Sequence, residues 1–423
     1  MVNRPARHPG APLPAALRPG PRPLPLHMAV EGWILQVSCS GLLNSSAASP
    51  FSNPLLAPLK DRLLKLLPDL AALNPQPLNA GMIDAVALEA TARMDTFVRG
   101  VRVYQSHPYT RTLKAPPAVW KRGAATLVDY GGKGTPVLYV PSLINKAYIL
   151  DLAADRSLMR ASAASRLHSF LLDWGVPGAA EQAFMVSDYV EGVLIPALEE
   201  VKARTGKTPA LVGYCMGGTL SVAAAVLRPD LVCALALLAA PWDFHEGTEA
   251  SRVLLTLSQP MIETILAAEG MVSIDILQAF FASLDPTLVG RKFRRFAELD
   301  PASEPARRFV ELEDWLNDGV ALAGPVAREV FFDWYGRNHP PAGRLRVGET
   351  VIDPAGIKVP TFAFIPSQDR IVPPGAAQAL ARAIPGAEAR TVDLGHIGMV
   401  SAGSAPEAVY APLLAWLHNF ARA

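Results

Sequence analysis

Cys215 lies in a short segment that combines an apolar run, two glycines and a nucleophilic side chain. Residues 211–220 read Leu-Val-Gly-Tyr-Cys-Met-Gly-Gly-Thr-Leu. The pattern predicts a buried strand, a sharp turn at the cysteine and the start of a helix. Gly213 and Gly217 would let strand and helix approach closely, and a strained turn would lift the sulfur above the sheet. The amide of Met216, at the helix N-terminus, could then stabilise a negatively charged oxygen.

Two further polar residues follow later apolar runs. Asp369 comes after residues 361–365, and His396 comes after residues 389–393. Histidine is the usual general base because its pKa lies near neutrality, and a carboxylate can fix its tautomer and support its positive charge. Each residue alone is more typical of a turn or a structural contact. Three such residues in the order cysteine, aspartate, histidine, each just after a predicted strand, predict a catalytic triad with Cys215 as nucleophile.

Several alternatives remain open at this point. Cys215 could be a small buried hydrophobe. Asp393 lies close to His396 in the sequence and competes with Asp369, whereas Asp243 and His245 are candidates for the mouth of the site. The second oxyanion donor should come from the turn in Pro-Ser-Leu-Ile-Asn, as the amide of Leu143 or Ile144. The remaining histidines that we considered lack a matching context: His107, His168, His339 and His418.

Apolar runs that alternate with helical patterns predict the frame for these residues. Such alternation is typical of a mostly parallel sheet that is covered on both faces, with its chemistry at the carboxyl ends of the strands. Together with the cysteine turn, it predicts an α/β fold of the α/β-hydrolase type. The runs are residues 137–140, 168–174, 210–214, 233–238, 361–365 and 389–393.

The order of these patterns predicts the domain organisation. We expect a Pro/Arg-rich disordered tail at 1–27, an N-terminal helical region at 28–123, a catalytic core at 124–241 and 346–423, and a helical cap insertion at 242–345. The insertion could instead be a separate helical domain with no role in the site. The N-terminal helices, with leucines recurring between Leu56 and Leu67, could pack on the core or meet a partner or an apolar polymer.

Composition limits the classes of function. The chain has 423 residues, is 50% hydrophobic and carries a formal net charge of +1, which provides no electrostatic argument for nucleic acid or an anionic membrane. Its most apolar stretch, residues 231–242, is too short to span a bilayer. Cys39, Cys215 and Cys233 suggest neither a disulfide framework nor a zinc site, and a working thiol suits a reducing cytoplasm. Nothing in the sequence calls for a metal or an organic cofactor.

Several blocks of the chain are similar to those of a known family. The chain resembles the polyhydroxyalkanoate synthases, which polymerise 3-hydroxyacyl-CoA, over about residues 125–423. Its length and its sequence motifs are most similar to those of the short synthases that work with a partner subunit. The most specific block is Pro-Ser-Leu-Ile-Asn-Lys-Ala-Tyr-Ile-Leu-Asp-Leu at 141–152. The others lie at 155–158, 172–175, 213–219, Asp369 with 372–374, and 395–398; the position after Asp369 is arginine, where the family more usually has histidine.

The resemblance implies a mechanism and partners. His396 would deprotonate Cys215, which would take the acyl group from CoA as a thioester, while Asp369 would support His396 or help to deprotonate the 3-hydroxyl of the next unit. The family implies a cytoplasmic enzyme that acts at polyester granules, with 3-hydroxyacyl-CoA as substrate. A homodimer and a second synthase subunit both stay open. The alternatives are a thioesterase or intracellular depolymerase of the same fold, and a non-catalytic protein of the granule surface.

Overall fold

A computed structural model describes residues 18–42, 80–247 and 249–420 of the chain. The described residues form two compact units, one within the ranges 1–109 and 287–310, the other within 110–286 and 311–423. The leucines expected to form a helix between Leu56 and Leu67, and most of the Pro/Arg-rich tail, lie outside the described residues.

The larger unit is built on one eight-stranded sheet with strand order β1-β2-β4-β3-β5-β6-β7-β8. Only β1 and β2 pair antiparallel with their neighbours, and the other pairs are parallel. The mostly parallel sheet predicted from the sequence is therefore confirmed. The strands are β1 Ala118–Arg122, β2 Ala125–Asp129, β3 Pro136–Val140, β4 His168–Asp173, β5 Ala210–Tyr214, β6 Ala234–Leu238, β7 Thr361–Pro366 and β8 Glu388–Val392.

The central strands are apolar throughout because both faces of the sheet are covered. Along β3, Leu138 packs into one apolar cluster while Tyr139 packs into another, and along β5 Leu211 and Val212 alternate in the same way. This alternation follows from the two-residue period of a strand. The sheet is therefore a rigid buried platform whose carboxyl edge can hold side chains in fixed positions.

Helices connect and cover the strands of the larger unit. The helix Met216–Leu227 begins directly after Cys215, which itself follows β5, and the helix Pro374–Ala383 follows β7. Three π-helical segments, Val190–Leu194, Glu329–Gly336 and Pro406–Tyr410, adjoin α-helical turns. The longer helices of this unit are α3 Leu158–Ala164, α4 Ile195–Thr205, α5 Met216–Leu227, α6 Glu249–Glu269, α7 Ile274–Leu284, α10 Pro374–Ala383 and α11 Ala411–Leu417.

The smaller unit is helical. It contains α1 Leu24–Leu42, α2 Ala80–Ser106, α8 Leu288–Phe296 and the first part of α9, Glu304–Asn317. Its core is an aromatic cluster in which the Tyr104 ring meets the Phe293 ring edge-on, with 5.6 Å between the centroids.

The boundaries differ from the sequence-based prediction in three places. Helix α1 begins at Leu24, inside the predicted tail, and β1 lies at the end of the range predicted to be helical, 28–123. The predicted insertion, 242–345, is helical but is not one unit, because residues 287–310 share an apolar core with α2. These differences arise because long-range aromatic packing and strand pairing override local pattern.

Candidate active site

Cys215 occupies the turn between β5 and α5 in a strained backbone conformation, with φ 56° and ψ −131°. This is a region that non-glycine residues rarely adopt. Two backbone hydrogen bonds hold the turn: the Cys215 amide donates to the Leu238 carbonyl at 2.9 Å, and the Gly218 amide donates to the Cys215 carbonyl at 2.8 Å. The cysteine is therefore fixed at the carboxyl end of a central strand.

The two predicted glycines stand where side chains cannot fit. A Cβ added at Gly213 would lie 2.4 Å from Gly218 Cα, and one added at Gly217 would lie 2.2 Å from the Val140 carbonyl oxygen and 2.4 Å from that of Pro141. Because these obstacles are backbone atoms, they could not move aside cheaply. The close crossing of strand and helix therefore depends on both glycines.

His396 and Asp369 are joined by a short hydrogen bond, with 2.6 Å between Nδ1 and Oδ2. The other carboxylate oxygen, Oδ1, accepts from the amides of Ile371 and Val372, each at 2.8 Å. Both the imidazole and the carboxylate are buried. Asp369 therefore has both oxygens engaged, which holds it in one orientation and presents it to a single histidine nitrogen.

His396 is also hydrogen-bonded to Cys215, so the three predicted residues form one connected line. Burial alone would lower the pKa of His396, but the negative charges of Cys215 and Asp369 and the hydrogen bonds to them raise it to about 10. Tyr214 stacks on the imidazole, with 5.2 Å between the ring centroids, and its hydroxyl donates to the His396 carbonyl at 3.1 Å. The arrangement therefore favours the positively charged imidazolium form of His396 at the centre of the line from Cys215 to Asp369.

Asp393, the competing carboxylate, does not reach the histidine. Its Oδ1 accepts from Ser367 Oγ and from Gln368 Nε2, each at 3.1 Å. The structure thus pairs His396 with Asp369, which resolves the ambiguity left by the sequence.

The predicted oxyanion donors lie on two adjoining segments. Met216 is the first residue of α5, and the first amides of a helix have no acceptor within the helix. In the turn after β3, the Ile144 amide donates to Ser142 Oγ at 3.3 Å, and Leu143 is buried. Because Ile144 already has this partner, the geometry favours the Leu143 amide as the second donor.

Two cavities lie at this site. A small one of about 80 Å³ is lined by Cys215 and His396 together with apolar residues such as Phe281 and Trp315. A larger one of about 440 Å³ is lined by Asp369 and by mostly apolar side chains. Ile371 lines both cavities and therefore stands between them.

The loop after β6 contributes to the larger cavity, as the sequence predicted for His245. Asp243 does not line the cavity; its Oδ1 instead accepts from the Asn338 side chain at 2.8 Å. Tyr335, which also lines this cavity, was not identified from the sequence. It lies in the π-helical segment Glu329–Gly336, more than a hundred residues from Cys215, and no local motif marks it.

The described residues contain neither a cluster suited to a metal ion nor a helix able to span a membrane. Across residues 18–42, 80–247 and 249–420, no group of His, Cys, Asp and Glu side chains is arranged to hold a metal ion. None of the helices in those ranges has the length and apolarity needed to cross a membrane.

Comparison with known proteins agrees with this fold. The family model described as "alpha/beta hydrolase fold" matches residues 135–402. The chain therefore belongs to the α/β-hydrolase fold family. The monoacylglycerol lipase of Paleococcus ferrophilus has a solved structure that is 17% identical, covers 70% of this chain and 98% of its own, and gives a TM-score of 0.46. A likeness at that level adds nothing on function.

Within that fold family, the curated relatives are polyhydroxyalkanoate synthases, which confirms the family predicted from the sequence motifs. A "Poly(3-hydroxyalkanoate) polymerase subunit PhaC" of Thiocystis violacea is 29% identical over 67% of this chain and 81% of its own length. Those of Haloferax mediterranei and Haloarcula marismortui are 29% and 30% identical over 66% and 68% of this chain. The chain spans 59% of the former's length and 62% of the latter's.

Proposed function

We propose that this protein is an acyltransferase that polymerises 3-hydroxyacyl groups from their CoA thioesters into a polyester, with Cys215 as the carrier of the acyl group. The observation that carries the proposal is the hydrogen-bonded line from Asp369 through His396 to Cys215. The similarity to poly(3-hydroxyalkanoate) polymerases supports the choice of substrate class.

The first half of the reaction loads the cysteine. His396 takes the proton of the Cys215 thiol, and the thiolate attacks the thioester carbonyl of the CoA substrate. The Met216 amide, with that of Leu143, stabilises the oxyanion of the tetrahedral intermediate. Collapse of this intermediate breaks the bond to the CoA sulfur, which takes a proton from the His396 imidazolium. The products are free CoA and an acyl group bound to Cys215.

The second half forms the ester bond. The 3-hydroxyl of another unit attacks the Cys215 thioester and gives its proton to His396. The oxygen ester forms, and the cysteine sulfur leaves as a thiolate. Asp369 stabilises the imidazolium in both halves, since it accepts from Nδ1 at 2.6 Å.

A thiol suits this sequence of steps better than a hydroxyl. Exchange of one thioester for another changes the free energy little, so the acyl group on Cys215 stays activated, and its transfer to a hydroxyl is then downhill. Water competes with the hydroxyl as acceptor, and a small cavity with apolar lining beside the sulfur would disfavour it.

The proposal uses only side chains and backbone amides of the chain itself and calls for no metal or organic cofactor. By analogy with the family, we further propose that the protein acts at the surface of cytoplasmic polyester granules. A homodimer and a second synthase subunit are the two assemblies to test.

One assay tests the proposal against its competitors. Purified protein is incubated with 3-hydroxybutyryl-CoA, alone and with candidate partner subunits, and free CoA and insoluble polymer are measured separately. CoA together with polymer supports the synthase. CoA with only free 3-hydroxybutyrate would identify a thioesterase, and release of neither product under all conditions would contradict an enzymatic role.

A further inference from the structure

Tyr335 is the tyrosine among the residues that line the larger cavity. Its side chain lines the cavity of about 440 Å³ that is also lined by Asp369 and Ile371. The phenol lies within electrostatic range of both Cys215 and Asp369. A residue with a hydroxyl group thus lines a mostly apolar space beside two members of the triad.

The phenol can act there as a hydrogen-bond donor. Within the described part of the chain, its hydroxyl has no hydrogen-bond partner. Burial raises the pKa of Tyr335, and the negative charges of Cys215 and Asp369 raise it further. The hydroxyl therefore keeps its proton across the physiological range and offers it to an acceptor.

The surrounding residues hold the ring in place. Phe244 and Phe280 meet it edge-on, with centroid distances of 4.9 and 5.6 Å. The segment that carries Tyr335 is joined to the loop after β6 by Asn338, whose Oδ1 accepts from the Phe244 amide at 2.9 Å and whose Nδ2 donates to Asp243 at 2.8 Å. A ring fixed in this way can orient a ligand rather than only fill space.

We propose that the larger cavity holds the hydroxyl-bearing acceptor end of the polyester, and that Tyr335 donates a hydrogen bond to the oxygen of its terminal hydroxyl. This inference rests on the proposed function and assigns the acceptor a place. The phenol binds a lone pair of that oxygen and transfers no proton itself. It orients the hydroxyl so that another lone pair can attack the Cys215 thioester while its proton goes to His396.

The test separates loading of Cys215 from transfer to the acceptor. In Tyr335→Phe, rapid mixing with 3-hydroxybutyryl-CoA should leave the first equivalent of CoA released as in the unaltered protein. The later steady rate should fall roughly 3- to 10-fold, the range expected for one hydrogen bond. An unchanged steady rate, or an equal fall in both phases, would overturn the assignment.

A matched variant controls for loss of a phenol. Tyr189 is buried, whereas Tyr335 is half-buried; Tyr189 likewise packs against aromatic rings, but it does not line either cavity. Tyr189→Phe should leave both phases unchanged, and thermal unfolding should show that both variants fold. A similar loss in Tyr189→Phe would mean that Tyr335 has only a structural role.

A binding measurement tests Tyr335 independently of turnover. The probe is the methyl ester of a 3-hydroxybutyrate dimer, titrated by calorimetry into Cys215→Ala and into Cys215→Ala with Tyr335→Phe. Affinity should fall roughly 3- to 10-fold in the double variant, and equal binding, or no binding to either, would overturn the inference. If the unaltered protein releases no CoA, the proposed function fails, while this comparison still reports on Tyr335.

Discussion

The carboxyl ends and the amino ends of the parallel strands form two opposite edges of the central sheet. Both edges carry a cysteine, a histidine and an aspartate, but they differ in how these side chains are connected. At the carboxyl edge, Cys215, Asp369 and His396 form a hydrogen-bonded line. At the opposite edge, His168 at the start of β4 lies 3.0 Å from Asp129, and Cys233 stands just before β6. Residue type and attachment to the sheet are therefore not enough to build a site.

Loop geometry makes the difference between the edges. The starts of β4 and β6 are three strand spacings apart, about 14 Å, and no long loop brings Cys233 to His168. Cys215 and His396 follow β5 and β8, which are also three positions apart. There, however, the loops after β7 and β8 extend beyond the sheet and bring the histidine to the sulfur. Burial raises the pKa of Cys233, which keeps that thiol uncharged.

The largest expected contrast between the edges is in the two cysteines. Cys215→Ala should lower CoA release by roughly 10³-fold or more, because no other group can hold the acyl intermediate. Cys233→Ala should stay within about twofold, since no chemistry is assigned to it. The measurement is CoA release from 3-hydroxybutyryl-CoA. Substantial activity in Cys215→Ala would move the nucleophile elsewhere.

The two carboxylates near His396 sharpen the same comparison within the carboxyl edge. Asp369→Asn should lower the rate of CoA release by roughly 10² to 10⁴-fold, since the amide can fix the wrong tautomer of His396 and cannot support its charge. Asp393→Asn keeps a similar shape and touches only Ser367 and Gln368, so the rate should change little. Equal losses in the two variants would show that the pairing at 2.6 Å does not govern the reaction.

Substitution of Gly217, in the first turn of the helix after Cys215, should lower the stability of the protein more than substitution of a glycine with open space around it. In Gly217→Ala, the new methyl group would lie 2.2 Å from a backbone oxygen, and we expect the free energy of unfolding to fall by about 1–3 kcal/mol or more. Gly192→Ala is the control, since a Cβ there meets nothing within 4 Å, and its stability should be unchanged or slightly higher. Urea denaturation of both variants measures the difference. A neutral Gly217→Ala would contradict the close crossing.

The last expected effect concerns the dependence of stability on pH. The pKa of His396 is raised from 6.5 to about 10, so its imidazolium contributes stability that is complete below pH 6.5 and is lost as pH rises toward 10. The difference in unfolding free energy between the unaltered protein and His396→Gln should therefore shrink between pH 6.5 and pH 10. His168→Gln, at the other edge, serves as the control. If this difference in unfolding free energy instead grows as the pH rises, His396 is not stabilised as the imidazolium in the folded protein.

Much of the frame was predictable because it depends on local pattern. The apolar runs predicted at 210–214 and 361–365 are strands at Ala210–Tyr214 and Thr361–Pro366, since a strand buried on both faces must be apolar throughout. The glycines at 213 and 217 also marked the turn correctly, because only a residue without a side chain fits there. These features need no knowledge of distant contacts.

Other features could not be predicted because they depend on contacts between distant residues. The choice between Asp369 and Asp393 rests on which carboxylate reaches His396, and both follow strands. Tyr335 is indistinguishable by pattern from any aromatic residue in an apolar helix. The grouping of residues 287–310 with α2 rests on aromatic packing that neither segment reveals alone.

One carboxylate ties the chemistry to the shape of the space around it. Asp369 orients His396 through one oxygen and, through the other, fixes the backbone of Ile371, the side chain that separates the two cavities. A change in the charge or rotation of this acid would loosen the partition at the same moment as it released the imidazole. Movement of ligands between the two cavities and activation of the Cys215 thiol would then change together, because both depend on Asp369.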